Sequence, residues 1–362
     1  METALTRLTG ARHPIVQTGM GWVAGPRLVS AAANAGALGI LASATMSVQE
    51  LRTAVREVAS RTKAPFGVNL RADAGDARER VRIIVDEGVR VASFALAPSR
   101  ELIVELRDAG VVVICSVGAR RHAEKVAAWG ADAVIVQGGE GGGHTGDVAT
   151  SVLLPQVVDA VGVPVIAAGG FHDGRGLVAA LAYGAAGIAM GTRFLLTAES
   201  TVPDAVKARY LAATVRDITV TRAVDGLPHR MIRTELVDSL ESSGRARTLL
   251  RAVRHAAAFR RLSGLSWSAM VRDGLAMKHG KDLAWSQVLL AANTPMLLRA
   301  SMVQGRTDLG VMAAGQVAGV IEDLPSCEEL IGRVMSEAAG VLGALPEASP
   351  PPRPFPPPRP FP

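Results

Sequence analysis

The chain has 362 residues, 49% of them hydrophobic and 20% charged, with a net charge of +6. That is ample for a buried core, and two cysteines far apart, Cys115 and Cys327, give neither a disulfide framework nor a zinc-ligand spacing. With only 4% aromatics and no recognised DNA- or RNA-binding motif, nucleic acid is not the expected partner of the basic charge.

The N-terminal "METALTRLTGARHPIVQ" carries no apolar segment of the secretory-leader type, and a reducing, cytoplasmic setting fits the cysteine usage. The first β-rich run is "PIVQTGM", from Pro14. Next comes the longest uncharged stretch, Leu28 to Met46. Its alanines, glycines and Asn34 read as a helix feeding the short buried strand "ALGILAS" (from Ala37), not as a membrane span, so no membrane partner is expected. Further runs follow: "FGVNL" (Phe66), "VASFAL" (Val91), "VVVICSV" (Val111), "AVIVQG" (Ala133), "VPVIAAGG" (Val163) and "GIAMGT" (Gly187). Segments of helical spacing separate them, several ending in glycine, a helix-stop signal.

Strand runs that are apolar throughout and alternate with helices indicate a parallel sheet buried on both faces. Eight such units predict an α/β fold closed as a (β/α)8 TIM barrel, with an open doubly wound sheet as the alternative. In a barrel the chemistry sits where strands end and βα loops begin. Those positions read Gly19-Met20-Gly21, Ser43, Asn69, Ser116, Gln137-Gly138, Gly169-Gly170 and Gly191-Thr192, polar or glycine in an otherwise apolar pattern. The loops after the seventh and eighth runs, "AAGGFHDGRG" and "MGTRF", offer bare backbone beside a helix start, the usual phosphate seat of such barrels.

The sixth run leads into "QGGEGGGHTGD". Glycine is entropically costly, so such a run suggests that something must approach the backbone closely. It fits G-x-G-x-x-G, but no acidic residue stands where a dinucleotide site needs one, so that reading is set aside. His144 lies at the end of a predicted strand among residues that have no chemistry of their own, and imidazole suits proton transfer near neutral pH. It is the candidate catalytic residue. Glu140 is a candidate partner or a surface charge, His172 a candidate ligand contact, and His13, His122, His255 and His279 receive no role. No metal ligand set is expected.

After Leu196 the rhythm breaks. Between Ala205 and Ala300 there are 16 lysines and arginines against seven acidic residues. Four parts are therefore expected: a barrel over 1–200, a helical basic insertion or lid over 201–300, C-terminal helices packing on the barrel over 301–345, and a disordered tail over 346–362. One final helix is expected from "GQVAGVIEDLPSCEELIGRVMSEA" at Gly315, and the tail holds half of the 20 prolines. The basic excess suits a phosphorylated small molecule such as coenzyme A.

The stretches "HPIVQTGMGWVAG", "GALGILAS", "PFGVNL", "GADAVIVQGGEGGGHTG", "PVIAAGGFHDGRG", "AYGAAGIAMGTRFL" and "GQVAGVI" together resemble the nitronate monooxygenase family of FMN enzymes. The resemblance implies a barrel holding FMN at its strand ends. Gly19, Met20 and Gly21 would pass along the isoalloxazine, and Asn69 and Gln137 would sit near its polar edge. Gly169, Gly170, Gly191 and Thr192 would bind the phosphate, and His144 matches the family's active-site histidine. Four more stretches, "TGMGWVAG", "VASFALAPS", "VDGLPHRMIRTEL" and "MVRDGLAMKHGKDLAWSQVLLAANTPMLL", are similar to a narrower group of flavin oxidoreductases from steroid-degrading bacteria. The likeness implies α,β-dehydrogenation of a steroid C/D-ring-derived CoA thioester, with NAD or another acceptor reoxidising the flavin. It leaves nitronate oxidation with O2 and enoyl-thioester reduction as alternatives, beside a non-catalytic phosphometabolite sensor. Assembly as a homo-oligomer is also expected.

Overall fold

A computed structural model describes residues 1–72, 74–95, 98–242 and 293–345. The tail from 346 and the central part of the basic segment, 243–292, lie outside the described residues, so the lid and tail expected there are not described.

Eight parallel strands form a closed barrel: β1 (Ile15–Gln17), β2 (Leu38–Ala42), β3 (Phe66–Arg71), β4 (Val91–Ala95), β5 (Val112–Val117), β6 (Ala133–Gln137), β8 (Val165–Ala168) and β9 (Gly187–Met190). Closure comes from β9 against β1, with Val16 opposite Ala189. All eight sequence runs become barrel strands, "FGVNL" included, and the open-sheet alternative is excluded.

The period of two divides the strand side chains between two cores. Ile40, Ile114, Ile135 and Ile166 point into the barrel, where Leu5 of α1 (Ala4–Thr9) joins them. Their neighbours Leu41, Cys115, Val134, Val136 and Ala167 face the helical shell. The helices are α2 (Pro26–Asn34), α3 (Val48–Arg61), α4 (Ala77–Asp86), α5 (Arg100–Asp108), α6 (Arg120–Ala128), α7 (Thr150–Val158) and α8 (Gly174–Ala182). In α3, Ser47 and Glu50 form a reciprocal capping box, and Leu51, Ala54, Val55 and Val58 make one buried stripe at helical spacing. Burial of each large side chain of that stripe contributes about 1.5–3 kcal/mol. Leu28 to Met46 holds α2 and β2, as its composition suggested, and no described helix is long and apolar enough to cross a membrane. Cys115 and Cys327 are free and buried, their thiols pushed up to about 12 by burial, so neither serves as a ready nucleophile.

Beyond the barrel come α9 (Thr192–Leu195), α10 (Asp204–Leu211), β10 (Ile218–Thr221), β11 (His229–Ile232), α11 (Glu235–Ser242), α12 (Asn293–Met302) and α13 (Cys327–Ala344). Two expectations need correction. Residues 218–232 are not helical: the β-branched "ITVT" pairs antiparallel with "HRMI". The last helix does not start at Gly315. Residues Gln316–Val320 make a 3-10 turn, and the helix begins after Pro325, where Ser326 and Glu329 form a capping box.

Candidate active site

The loop leaving β6 carries the site. Within it a two-residue strand, β7 (Gly143–His144), pairs with β11 in the order β10-β11-β7, setting His144 opposite His229. This small sheet lies outside the barrel and ties the β6 loop to a segment some 80 residues later. The glycines of the loop accommodate the protein itself. A Cβ on Gly142 would lie 2.5 Å from the Gly315 nitrogen and 2.7 Å from the Ala314 carbonyl carbon, so the two backbones meet only because no side chain intervenes.

Polar contacts then fix the loop. Gln137 Nε2 donates to the His144 carbonyl at 2.8 Å, and Arg230 donates through Nε and Nη2 to the Gly139 carbonyl at 3.0 and 2.6 Å. Glu140 does not contact His144. Its Oε2 accepts from the Thr150 amide at 2.9 Å and the Thr150 hydroxyl at 2.7 Å, capping α7, whose own N-cap residue is Ala149.

His144 stands in a cluster that sequence reading did not assemble. Its Nε2 lies 2.7 Å from Asp225 Oδ2, which also accepts from the Thr294 hydroxyl at 2.7 Å. Asp225 Oδ1 accepts from the Leu227 amide at 3.1 Å. The His229 ring lies with its centroid 4.6 Å from that of His144, tilted by 38°, and its Nδ1 is 3.8 Å from Asp225 Oδ2, too long for a hydrogen bond. The His144 side chain is 53% exposed, against 3% for Asp225 and 2% for His229. Burial alone would raise the Asp225 pKa, but the His144 imidazole and the Thr294 hydroxyl outweigh it and hold the carboxyl well below the usual range. Burial pushes the His229 pKa down, outweighing the opposing pull of Asp225, and so favours the neutral form.

The trio also offers three metal-ligand atoms within 4.8 Å of one another. The 2.7 Å contact between His144 and Asp225 is shorter than the ~3.3 Å that separates ligands around a tetrahedral zinc with bonds near 2.0 Å. The arrangement is therefore that of a hydrogen-bonded cluster.

Most of the other expected residues are drawn together at the same end of the barrel. A Cβ on Gly19 would lie 2.5 Å from Asn69 Cβ, and one on Gly191 would lie 3.4 Å from Met20 Sδ. Thr192 Oγ1 accepts from the Gly315 amide at 2.9 Å, joining the end of β9 to the segment against which Gly142 packs. Gly169 and Gly170 both adopt left-handed φ, +94° and +90°, which glycine alone takes without strain. Gly169 abuts the Gly138 carbonyl and the Gly141 amide, and Gly170 the Glu140 side chain. Gly21 stands apart, against Thr45. His172 lies 3.6 Å from Asp173 and burial lowers its pKa, away from the His144 cluster.

Trp22 was not singled out by sequence. It is the one non-glycine residue with positive φ among those described, at +65°. Its Nε1 donates to the Pro295 carbonyl at 3.1 Å, and the Arg299 guanidinium lies 5.8 Å from its ring. The strained loop after β1 is thereby fastened to α12.

A closed barrel of eight parallel strands with an imidazole and bare backbone gathered at its strand ends has the architecture of a TIM-barrel enzyme. The chain is an oxidoreductase of the nitronate monooxygenase family, whose model matches residues 2–81 and 75–337. A relative in Mycobacterium tuberculosis is 65% identical over 341 residues, covering 93% of this chain and 96% of its own length. It is named (3aS,4S,5R,7aS)-5-hydroxy-7a-methyl-1-oxo-octahydro-1H-indene-4-carboxyl-CoA dehydrogenase. A relative of the same name in Rhodococcus jostii is 62% identical, covering 95% and 98%. Among solved structures, FabK from Thermotoga maritima superposes with a TM-score of 0.80 at 32% identity, covering 95% of this chain and 98% of its own.

Proposed function

We propose that this protein dehydrogenates a CoA thioester of the steroid C/D-ring type between its α and β carbons, with FMN as cofactor. The observation that carries the reading is similarity over nearly the whole chain, 65% and 62%, to two enzymes named for that reaction. At 93% and 95% of this chain, the matched stretch extends past the barrel into the segments that follow it, the parts that differ most readily between enzymes sharing a scaffold.

The residues fit FMN. The backbone at Gly169-Gly170 is bare and left-handed, and the space a Gly170 Cβ would take borders only Glu140 methylenes, at 3.6 and 3.8 Å. At the end of β1 the buried Gln17 Oε1 has no donor from the protein. Gly19, Met20 and Gly21 would line the ring, Asn69 and Gln137 its polar edge, and Gly169, Gly170, Gly191 and Thr192 the phosphate. When bound, FMN supplies a two-electron acceptor for the hydride leaving the β carbon. The protein's own part is the proton: His144 takes it from the α carbon as the thioester enolate develops, and backbone amides around the loop stabilise the oxyanion. The basic segment over 201–300 would receive the CoA phosphates, and NAD would accept the electrons in turn.

Anaerobic mixing of the yellow protein with an indanone-type acyl-CoA should bleach it, and His144→Ala should slow bleaching by about 100-fold or more with FMN still bound. Bleaching only by an alkyl nitronate, or only by NAD(P)H, would replace this reading with nitronate oxidation or enoyl-thioester reduction. A protein that takes up no FMN would overturn it altogether.

A further inference from the structure

We infer that Asp225 is the positioning residue of this site: its buried carboxylate fixes the His144 imidazole with the proton on Nε2 and so presents Nδ1 as the atom that accepts the substrate proton. The inference rests on reading His144 as the base, and it adds which nitrogen acts and what holds it.

The geometry requires such a partner. The imidazole is 53% exposed, so packing alone does not set its rotamer. Its backbone is well placed, paired with β11 and bonded through its carbonyl to Gln137, but neither contact reaches the ring. Two contacts do: the tilted His229 ring, its centroid 4.6 Å away, and Asp225 Oδ2 at 2.7 Å from Nε2. A tilted ring at that distance sets neither direction nor tautomer, whereas a hydrogen bond sets both. An ionised carboxylate only accepts, so Nε2 must be the donor and Nδ1 keeps the lone pair.

Asp225 is itself over-determined. Oδ1 is held by the Leu227 amide and Oδ2 by the Thr294 hydroxyl of α12, so two parts of the chain aim one carboxylate. The other charged groups nearby are otherwise engaged. Arg230 is spent on the Gly139 carbonyl and Glu140 on Thr150, while His229 is buried beside the carboxylate and neutral. Asp225 is thus the one charge in contact with the His144 ring among the described residues. As the imidazole gains its proton, that fixed, pre-placed negative charge stabilises the cation.

The test uses the FMN-loaded full chain. Asp225→Asn offers an amide that can donate where the carboxylate only accepted. It should lower the single-turnover rate of flavin reduction by about 100-fold or more while half-saturation by the acyl-CoA moves less than about threefold, the pattern of lost orientation in His-carboxylate pairs. Nitrogen-15 NMR in the alkaline range should show His144 as a single Nε2–H tautomer in the parent protein and a mixture in Asp225→Asn. Thr294→Val, which removes the second donor to Oδ2 while leaving His144 in place, should slow reduction about 3–10-fold and broaden the tautomer signal. An Asp225→Asn enzyme with the parent rate and parent tautomer would sink the inference. If Asp225→Asn does not fold, an unchanged rate and tautomer in Thr294→Val would do so. If no acyl-CoA bleaches the parent protein, the dehydrogenase reading fails, and the tautomer measurement still decides for or against Asp225.

Discussion

The two halves of the barrel are built differently. From β2 to β5, each strand and the helix after it hold both sides of their own packing within a few tens of residues, as when α3 lays Leu51, Val55 and Val58 against the sheet. From β6 to β9, the loops at the strand ends are held by residues that arrive much later in the chain. Asp225 bonds His144 from 81 residues on, and Gly315 bonds Thr192 from 123 residues on. The first half is a scaffold whose stability is local; the second is a site whose geometry is borrowed.

Three measurements press on that contrast. The largest effect belongs to the scaffold. Phe94 of β4 is fully buried, so Phe94→Ala should cost about 3–5 kcal/mol in a denaturant melt. The surviving folded protein should reduce its flavin at the parent rate, and a matching fall in rate would mean that the halves are not separable. Gly142→Ala should behave in the opposite sense. The added methyl meets the backbone at Ala314 and Gly315, costing about 1–3 kcal/mol. Flavin reduction should nevertheless fall further than in Phe94→Ala, because the loop carrying His144 is displaced.

The third effect is a pH slope. His229 has a lowered folded pKa because it is buried, so below the ordinary histidine value near 6.5 the unfolded chain binds a proton that the folded one refuses. Its contribution is fully present above that value and is lost as pH falls through it. His229→Phe should therefore flatten the fall in stability between about pH 6.5 and 5 by up to about 1.4 kcal/mol per pH unit. His13, His122 and His172 are lowered too, so part of the slope should remain. A slope identical to the parent's would show that His229 titrates normally.

The same division explains what could be read from sequence. All eight strands were visible because uniform apolar runs and helical stripes are local signals. His144 stands out as a candidate because so little chemistry surrounds it. Asp225, His229 and Thr294 do not, since their meaning lies in a contact with His144 that no local pattern encodes. A clue was present: the Asp225-Gly226 pair between "ITVT" and "HRMI" is a turn signal flanked by two short β-prone runs. The basic character of the whole segment concealed it. The late start of α13 was likewise available in Ser326 and Glu329, a capping-box spacing immediately after a proline.

That His144 sits on a strand whose one partner among the described residues is β11 has a consequence for how enzymes of this type diverge. On the proposed reading, the seat for the flavin and the aim of the base are specified by separate stretches of polypeptide. Exchanging the hairpin around 218–232 between two related barrels should thus re-aim the proton-accepting nitrogen toward a different substrate carbon while the yellow colour persists. New chemistry would come by grafting one ribbon onto an inherited vessel.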